Sequence, residues 1–413
     1  MRKLSLIICL TLLVGIAFSL KGAEKDTTGL RFKLKGFVNS QAFYDSRQIV
    51  ESREQMVSLY PKKPEYDVNG KDINAGGSFN QLSMTTRFRL LIEGPKVLNA
   101  KPSAVVESDF TGSSNATNND LRLREAYISL GWTKWTLLMG QTWHPINTPE
   151  CRPTTVGLNT GAPFHPFSRH NQVRLDYHIG HWKLTAVAAS QRDYASDGPT
   201  GVSSNYLRNA ILPNLHLQAQ VKTVGFLGGI GFDYKLLEPE QFHQFGAIRA
   251  KSTSSVNSMA VVVYGKYTQG HFTLKGAATL GQNLTEHILL GGYVEHQIDS
   301  VQYRLKYAPT NVLACWIQGE AAYGKFQFSI FTGYSSNLGY QNEMAGRFFG
   351  RANDIAYLYR IMPRVQFQSG HFTIGTELEY TAAAYGKPDL KGQFDSSSIV
   401  GSYRLLAGVF YFF

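Results

Sequence analysis

The last eleven residues, Tyr403 to Phe413, constrain the fold more than any other part of the chain. Counting back by twos from Phe413 gives Tyr411, Val409, Ala407, Leu405 and Tyr403, all apolar or aromatic, while the set between them holds Arg404 and Gly408. Side chains of a strand alternate between its two faces, so one face here is continuously apolar and the other mixed. Left bare at the end of a soluble sheet, such a strand would be an aggregation edge. A closed barrel in a bilayer removes the conflict, because lipid meets the apolar face and pairing with the first strand abolishes the edge.

The other end of the chain agrees. Arg2 and Lys3 precede a mainly apolar run from Leu4 to Phe18, and Ala17-Phe18-Ser19 at its end supplies small residues at the positions that signal peptidase needs. The run is short for a bilayer span and has the flanks of an export leader, which predicts a cleaved signal peptide over residues 1–19 and a single barrel domain over 20–413. Cys9 lies inside the apolar run, away from any lipoprotein cleavage context. Cys151 and Cys315 remain, and spacing does not say whether they meet. Beyond residue 19 no apolar stretch reaches the eighteen residues of a membrane helix. Aromatics nevertheless make up 13% of the chain and glycine 39 residues, which suits aromatic belts and tight turns. The formal charge is +11, from 41 basic and 30 acidic residues, and falls to +9 without Arg2 and Lys3. These cations are scattered singly through alternating segments rather than clustered, which argues for a charged lumen and against a nucleic-acid partner.

Turn chemistry sets the strand count. Six segments repeat a turn residue, a polar or basic residue, an aromatic and then alternation, and their aromatics are Trp135, Trp182, Phe226, Phe272, Phe326 and Phe372. A spacing near 46 residues accommodates two membrane strands and one long loop. Gly94-Pro95-Lys96 supplies a seventh short turn. Seven short turns join eight hairpins into sixteen antiparallel, up-and-down strands. They are placed near Arg31, Ser78, Ser103, Asp120, Trp135, Arg169, Trp182, Asn214, Phe226, Ser255, Phe272, Val312, Phe326, Asp354, Phe372 and Ile399. Segments such as Arg192–Pro213, Leu237–Ser254, Asn337–Ala352 and Gly386–Ser398 become long outer loops. The apolar pieces within Asn283–Asn311 leave a count of eighteen open. A sixteen-strand barrel is wide enough for water.

Alternation then assigns the lumen. Met84, Phe88, Leu90 and Ile92 form one face of their strand and Arg87 and Arg89 the other. Arg122 and Arg124 alternate with Leu121 and Leu123, Arg174 with Val173 and Leu175, and Arg360 and Arg364 with Tyr357, Tyr359 and Ile361. Arg404 faces inward on the last strand, and Lys33 and Lys35 on the first. Lipid-facing Arg or Lys costs about 2–4 kcal/mol near the midplane, so each cation belongs inside. Two readings follow: ordinary lumen polarity, or an arginine ladder for anions, whose planar forks match carboxylates and phosphates.

The segment from His144 to Ser168 lacks alternation and holds five prolines in 25 residues, which favours a loop of one fixed shape. It is the third outer loop. Here the chain resembles the Gram-negative trimeric porins, in which that loop folds into the barrel and narrows it. The terminal Phe413 and Tyr411 likewise resemble the C-terminal signature of bacterial outer-membrane barrels, read by the barrel-assembly machinery. The runs Asp120-Leu121-Arg122-Leu123-Arg124-Glu125-Ala126-Tyr127-Ile128, Met139-Gly140-Gln141-Thr142-Trp143 and Arg169-His170-Asn171-Gln172-Val173-Arg174 are similar to the DcaP-like branch. The barrel-level resemblance covers nearly the whole mature chain and the closer one about residues 80–180.

The resemblance implies a homotrimer in outer-membrane lipid that passes small polar or anionic solutes, some relatives favouring dicarboxylates. It implies pore-lining roles for Arg87, Arg89, Arg122, Arg124 and Arg174, with Glu150 and Arg152 on the loop; Arg360 and Arg404 join them from alternation. The long first loop, Asp45 to Gly77, and the Asn283 segment depart from the family's pattern. No P-loop and no Gly-x-Ser-x-Gly occurs, so neither an enzyme nor a cofactor is expected. His144, His165, His170, His178 and His181 crowd one region, but several sit beside Pro or Gly and His181, His271 and His371 share one turn position, so turn and interface roles are expected rather than a metal. The expectation is a porin for small hydrophilic solutes with an anion preference; the rival is a barrel that binds at the cell surface with little conductance.

Overall fold

In a computed structural model, which describes residues 29–157 and 159–413, sixteen antiparallel strands close into one barrel. The expected leader lies outside the described residues. The strands are β1 (Arg31–Asp45), β2 (two segments, Ser78–Leu82 and Arg87–Glu93), β3 (Lys101–Asp109), β4 (Arg122–Gly131), β5 (Trp135–Trp143), β6 (Arg169–Ile179), β7 (Trp182–Ser190) and β8 (Asn214–Lys222). They continue as β9 (Phe226–Leu237), β10 (Val256–Gln269), β11 (Phe272–Gln282), β12 (Arg304–Tyr323), β13 (Phe326–Tyr340), β14 (Ile355–Ser369), β15 (Phe372–Tyr385) and β16 (Ser398–Phe412). Each pairs with its neighbours in sequence. The barrel shuts where β1 meets β16, from Phe37 opposite Phe412 to Asp45 opposite Arg404.

Five of the six repeated turns carry a glycine with φ between 57° and 75° (Gly180, Gly225, Gly270, Gly324, Gly370). Where the loop is two residues long, as at Gly180-His181 and Gly370-His371, glycine first with positive φ is the type II′ arrangement that matches strand twist. The aromatic after each repeated turn is the first residue of β5, β7, β9, β11, β13 or β15, and all six are exposed at one rim. Above that rim the outer wall is apolar: Leu217, Ile230, Val263, Leu274, Ile330 and Leu405 all point outward and are exposed. A continuous apolar surface of this extent fits hydrocarbon, not water. Among the described residues no helix is long and apolar enough to cross a membrane.

Two details differ from the sequence expectation. Met84 does not face lipid; it is buried in the break that divides β2. β12 begins at Arg304, eight residues before Val312, because its first part pairs with Gly291–Asp299 beyond the barrel and only from Asn311 onward with β11. Gly291–Asp299 also pairs with Phe348–Arg351 of a neighbouring loop. Of the segment that left eighteen strands open, Gly291–Asp299 therefore extends the wall upward while Ile288, Leu289 and Leu290 turn inward, and the barrel count is sixteen.

Loops are numbered L1 to L8 from the β1–β2 connection. Three of them turn inward. L1 contains the buried hairpin Ile49–Ser52 with Val57–Pro61, L3 is the proline-rich segment 144–168, and L6 places Leu284, Ile288, Leu289 and Leu290 in the same apolar cluster as L3.

Candidate functional site

L3 lies inside the barrel along the wall, held at intervals. Its Ile146, Cys151, Phe164 and Phe167 are buried against inward side chains such as Val262, Val312, Trp316 and Phe331 of β10, β12 and β13. Polar anchors fix the course. Cys151 Sγ donates to the Gly265 carbonyl at 3.1 Å, the Thr154 amide and carbonyl both meet the Gln318 amide side chain at 2.8 Å, and the Gly157 amide donates to Glu377 Oε2 at 3.0 Å. Trp316 Nε1 donates to His165 Nδ1 at 3.0 Å. A side chain at Gly333 would collide with the Phe164 ring, so this glycine gives the loop its seat. Cys151 and Cys315 are both free thiols.

Arg360, expected at the pore, faces inward but reaches no open lumen. It is fully buried: Nη1 donates to the Ala162 carbonyl of L3 at 3.0 Å and Nη2 to the Ser58 and Leu59 carbonyls of L1 at 3.0 and 3.1 Å. Glu379 balances its charge at 3.2 Å. Arg404 is likewise buried, paired to both oxygens of Asp45 at 2.7 and 2.6 Å across the β16–β1 seam. Both anchor the wall and its loops.

Most of the remaining arginines gather on the wall of β2, β4 and β6 and on L3 itself, and most are paired with carboxylates. Glu107 of β3 accepts from Arg89 at 2.7 Å and from Arg124 at 2.7 Å, with Arg87 at 3.7 Å. Asp109 meets Arg124 at 2.6 Å and Arg122 at 3.4 Å; Glu125 takes Arg89 at 2.9 Å. Asp193 of L4 pairs with Arg169 at 2.7 Å and lies 3.9 Å from Arg122. Arg174 is paired with its strand-mate Asp176 at 3.0 Å. The ladder is therefore a charge network. Glu107 and Asp109 carried a sequence signal of their own, since they alternate along β3 as the arginines do along β2 and β4.

Between this network and L3 lies a polar cleft of about 400 Å³, lined by Arg87, Arg124, Arg152, Trp143, Thr154 and Gln366 among others. Among the described residues Arg152 has no ion pair, and Arg87 has only its long contact with Glu107. Arg152 stands over the Trp143 ring at 5.6 Å, and Arg87 over Phe37 at 5.1 Å with its nearest carboxylate 3.7 Å away. Glu150, two residues before Arg152, points away from the cleft to Lys183 of β7 at 2.9 Å and Lys222 of β8 at 3.3 Å. Partial burial opposes its charge, but hydrogen bonds from Lys183 and Gln220 hold the carboxyl down to about 2.

His178 and His181 lie at the exposed rim as expected of turn residues, whereas His144, His165 and His170 do not: all three are buried in the lumen. Burial keeps His144 well below the ordinary histidine range and His165 down to about 3.

No protein-family profile and no curated protein matches the sequence. Solved structures do match. The chain is similar to the outer-membrane channel DcaP of Acinetobacter baumannii at 17% identity, covering 95% of this chain and 100% of that one with a TM-score of 0.69. It is similar to OmpT, an outer-membrane protein of Vibrio cholerae, at 10% identity, with 96% and 100% covered and a TM-score of 0.57. A third is the anion-selective porin from Comamonas acidovorans, at 11% identity, 93% and 100% coverage and a TM-score of 0.55. The chain thus has the fold of the Gram-negative outer-membrane porins, and the DcaP-like resemblance read from residues 80–180 extends, as fold, over almost its whole length.

Proposed function

We propose that the protein is a porin of a Gram-negative outer membrane, through which small hydrophilic solutes diffuse passively, with a preference for anions such as small carboxylates. The cleft beside L3 carries this reading. Six guanidiniums on that side (Arg87, Arg89, Arg122, Arg124, Arg152, Arg169) face four carboxylates (Glu107, Asp109, Glu125, Asp193), so the cations are in excess, and Arg87 and Arg152 are the ones left to meet a solute. Low-dielectric walls focus such a field and concentrate counter-ions. The neighbours named as a channel and as an anion-selective porin support the reading, and OmpT, solved in a trimer form, supports a homotrimer. Export through a cleaved leader and insertion by the barrel-assembly machinery, with Phe413 and Tyr411 as its signal, complete it.

The inward packing of L1, L3 and L6 favours a second reading, a surface-binding barrel with little conductance. Single-channel recording in planar bilayers separates the two. Discrete conducting steps with an anion-directed reversal potential in a salt gradient are expected. A folded barrel without steps would establish the binding alternative, and a cation-directed potential would remove the anion preference.

A further inference from the structure

Four histidines that solute passage does not use meet in one buried place. His144 opens L3, His170 is the second residue of β6, His216 the third of β8, and His287 closes a short helical turn of L6. The ring centroids of His170, His216 and His287 lie 5.0, 5.2 and 5.2 Å from that of His144. The Asp233 carboxylate of β9 reaches in among them, with Oδ2 3.1 Å from His216 Nδ1 and 3.5 Å from His144 Nε2. None of the five side chains is exposed beyond 4%. We infer that this cluster binds one divalent transition-metal ion of the zinc class, with His144, His216 and Asp233 as its core and His170 and His287 completing the shell.

Geometry is the first argument. Bonds of about 2.0–2.1 Å to a tetrahedral ion place ligand atoms roughly 3.3–3.4 Å apart. The two observed separations from Asp233 fall on either side of that value.

Protonation is the second, and it follows from a chain of hydrogen bonds with one direction. The Glu150 carboxylate can only accept, so Gln220 turns its amide nitrogen to it, at 3.1 Å. The Gln220 oxygen then accepts from the Tyr264 hydroxyl at 2.8 Å, and the Tyr264 oxygen accepts from the Gln218 nitrogen at 2.7 Å. This leaves the Gln218 oxygen facing His216 Nε2 at 3.2 Å, so that nitrogen carries the hydrogen. A neutral His216 presents a bare Nδ1 lone pair to the carboxylate oxygen, whereas a doubly protonated one donates to it. The 3.1 Å contact thus holds either a proton or a metal ion, and a ligand histidine whose other nitrogen donates outward is the usual arrangement at a metal. The Ile146 amide donates to His144 Nδ1 at 3.4 Å, a long contact that an Nε2-bound metal would displace.

The third argument is the unmet atoms. Both nitrogens of His170, and Nε2 of His144 and of His287, are buried without a hydrogen-bond partner. Buried polar atoms are normally satisfied. A proton on His216 would settle its contact with Asp233 but would leave His170 with nothing on either side. Imidazoles with one carboxylate suit zinc, nickel, copper or iron rather than calcium or magnesium. Such an ion would tie the start of L3, the turn of L6 and the wall of β6, β8 and β9 together, above the cleft.

The test uses the untagged full barrel, stripped with chelator and titrated with Co²⁺ and with Zn²⁺. We expect about one equivalent per chain, visible d–d absorption for bound Co²⁺, and loss of those bands when Zn²⁺ is added. His170→Ala and the pair His216→Ala/Asp233→Asn should lose the bands, while the rim variant His181→Gln keeps them. Stripped wild-type barrel that migrates as folded yet takes up no metal at micromolar concentration overturns the assignment. Equal binding by wild type and by folded His170→Ala and His216→Ala/Asp233→Asn variants overturns it too. Should a variant fail to fold, the wild-type titration still decides.

Discussion

Burial decides what an inward arginine does. Arg124, almost fully buried, holds Glu107 and Asp109 at once, so Arg124→Gln takes one partner from each while Arg89 and Arg122 remain; the cost stays below the roughly 3–5 kcal/mol of leaving a buried charge unpaired. A clear fall in the denaturant midpoint for barrel unfolding is expected. Arg152, with only Trp143 against it, behaves differently. Arg152→Gln should leave the midpoint nearly unchanged and move the reversal potential toward cations, the shift shrinking at high salt as screening increases. An unmoved potential would take Arg152 out of selectivity. Glu150 adds a pH signature. Its folded carboxyl sits near 2, below the ordinary 4.5, so its grip on Lys183 and Lys222 is complete above the higher value and lost as pH falls toward the lower one. The stability that Glu150 contributes should be constant from neutrality to about pH 4.5 and fall between there and about pH 2 in wild type but not in Glu150→Gln, read as the denaturant midpoint. The inward side of these residues was legible from alternation alone. Their pairing was not, because it depends on which strands become neighbours, although the Glu107–Asp109 alternation on β3 offered half of it.

At the scale of elements, L3 joins two kinds of evidence. Its prolines announced a fixed loop, but its direction came from a resemblance, since nothing in its own residues says in or out. The wall said it instead. Ala260-Val261-Val262-Val263-Tyr264 of β10 is apolar on both faces, and in a water-filled barrel an apolar inner face must be covered. The same logic was available for L1, where Val57-Ser58-Leu59-Tyr60 is too apolar for an outer loop and ends up buried beneath Arg360. Replacing about Thr148 to Gly161 by a short linker should raise single-channel conductance, because this stretch lines the cleft and crosses from β8 to β15. It also strands Glu377 and Gln318, so a lower unfolding midpoint should accompany the wider pore. An unchanged conductance in a barrel that still migrates as folded would place the conducting path elsewhere.

For the whole molecule, strand number and closure were legible because the lipid solvent enforces them: fifteen of the sixteen strand starts fall within two residues of those read from the sequence. The seam is the place where that reading can be tested. Phe413 exchanges two hydrogen bonds with Gly36, at 3.0 and 3.1 Å, and its ring lies 6.1 Å from that of Phe88. Gly36 has no room for a side chain, which would meet the Arg87 carbonyl oxygen. Two ladder bonds are worth roughly 1 kcal/mol each, a small part of the stability of a barrel with sixteen paired strands. Deleting Phe413, or changing it to Asp, should therefore leave refolding of purified chain into detergent close to wild type. In cells the same variants should insert poorly, because the terminal aromatic would also be the residue that the assembly machinery reads. If they reach the outer membrane at normal levels with normal heat-modifiable migration, Phe413 merely finishes the last strand. If they fail equally in detergent, its role is closure and not recognition.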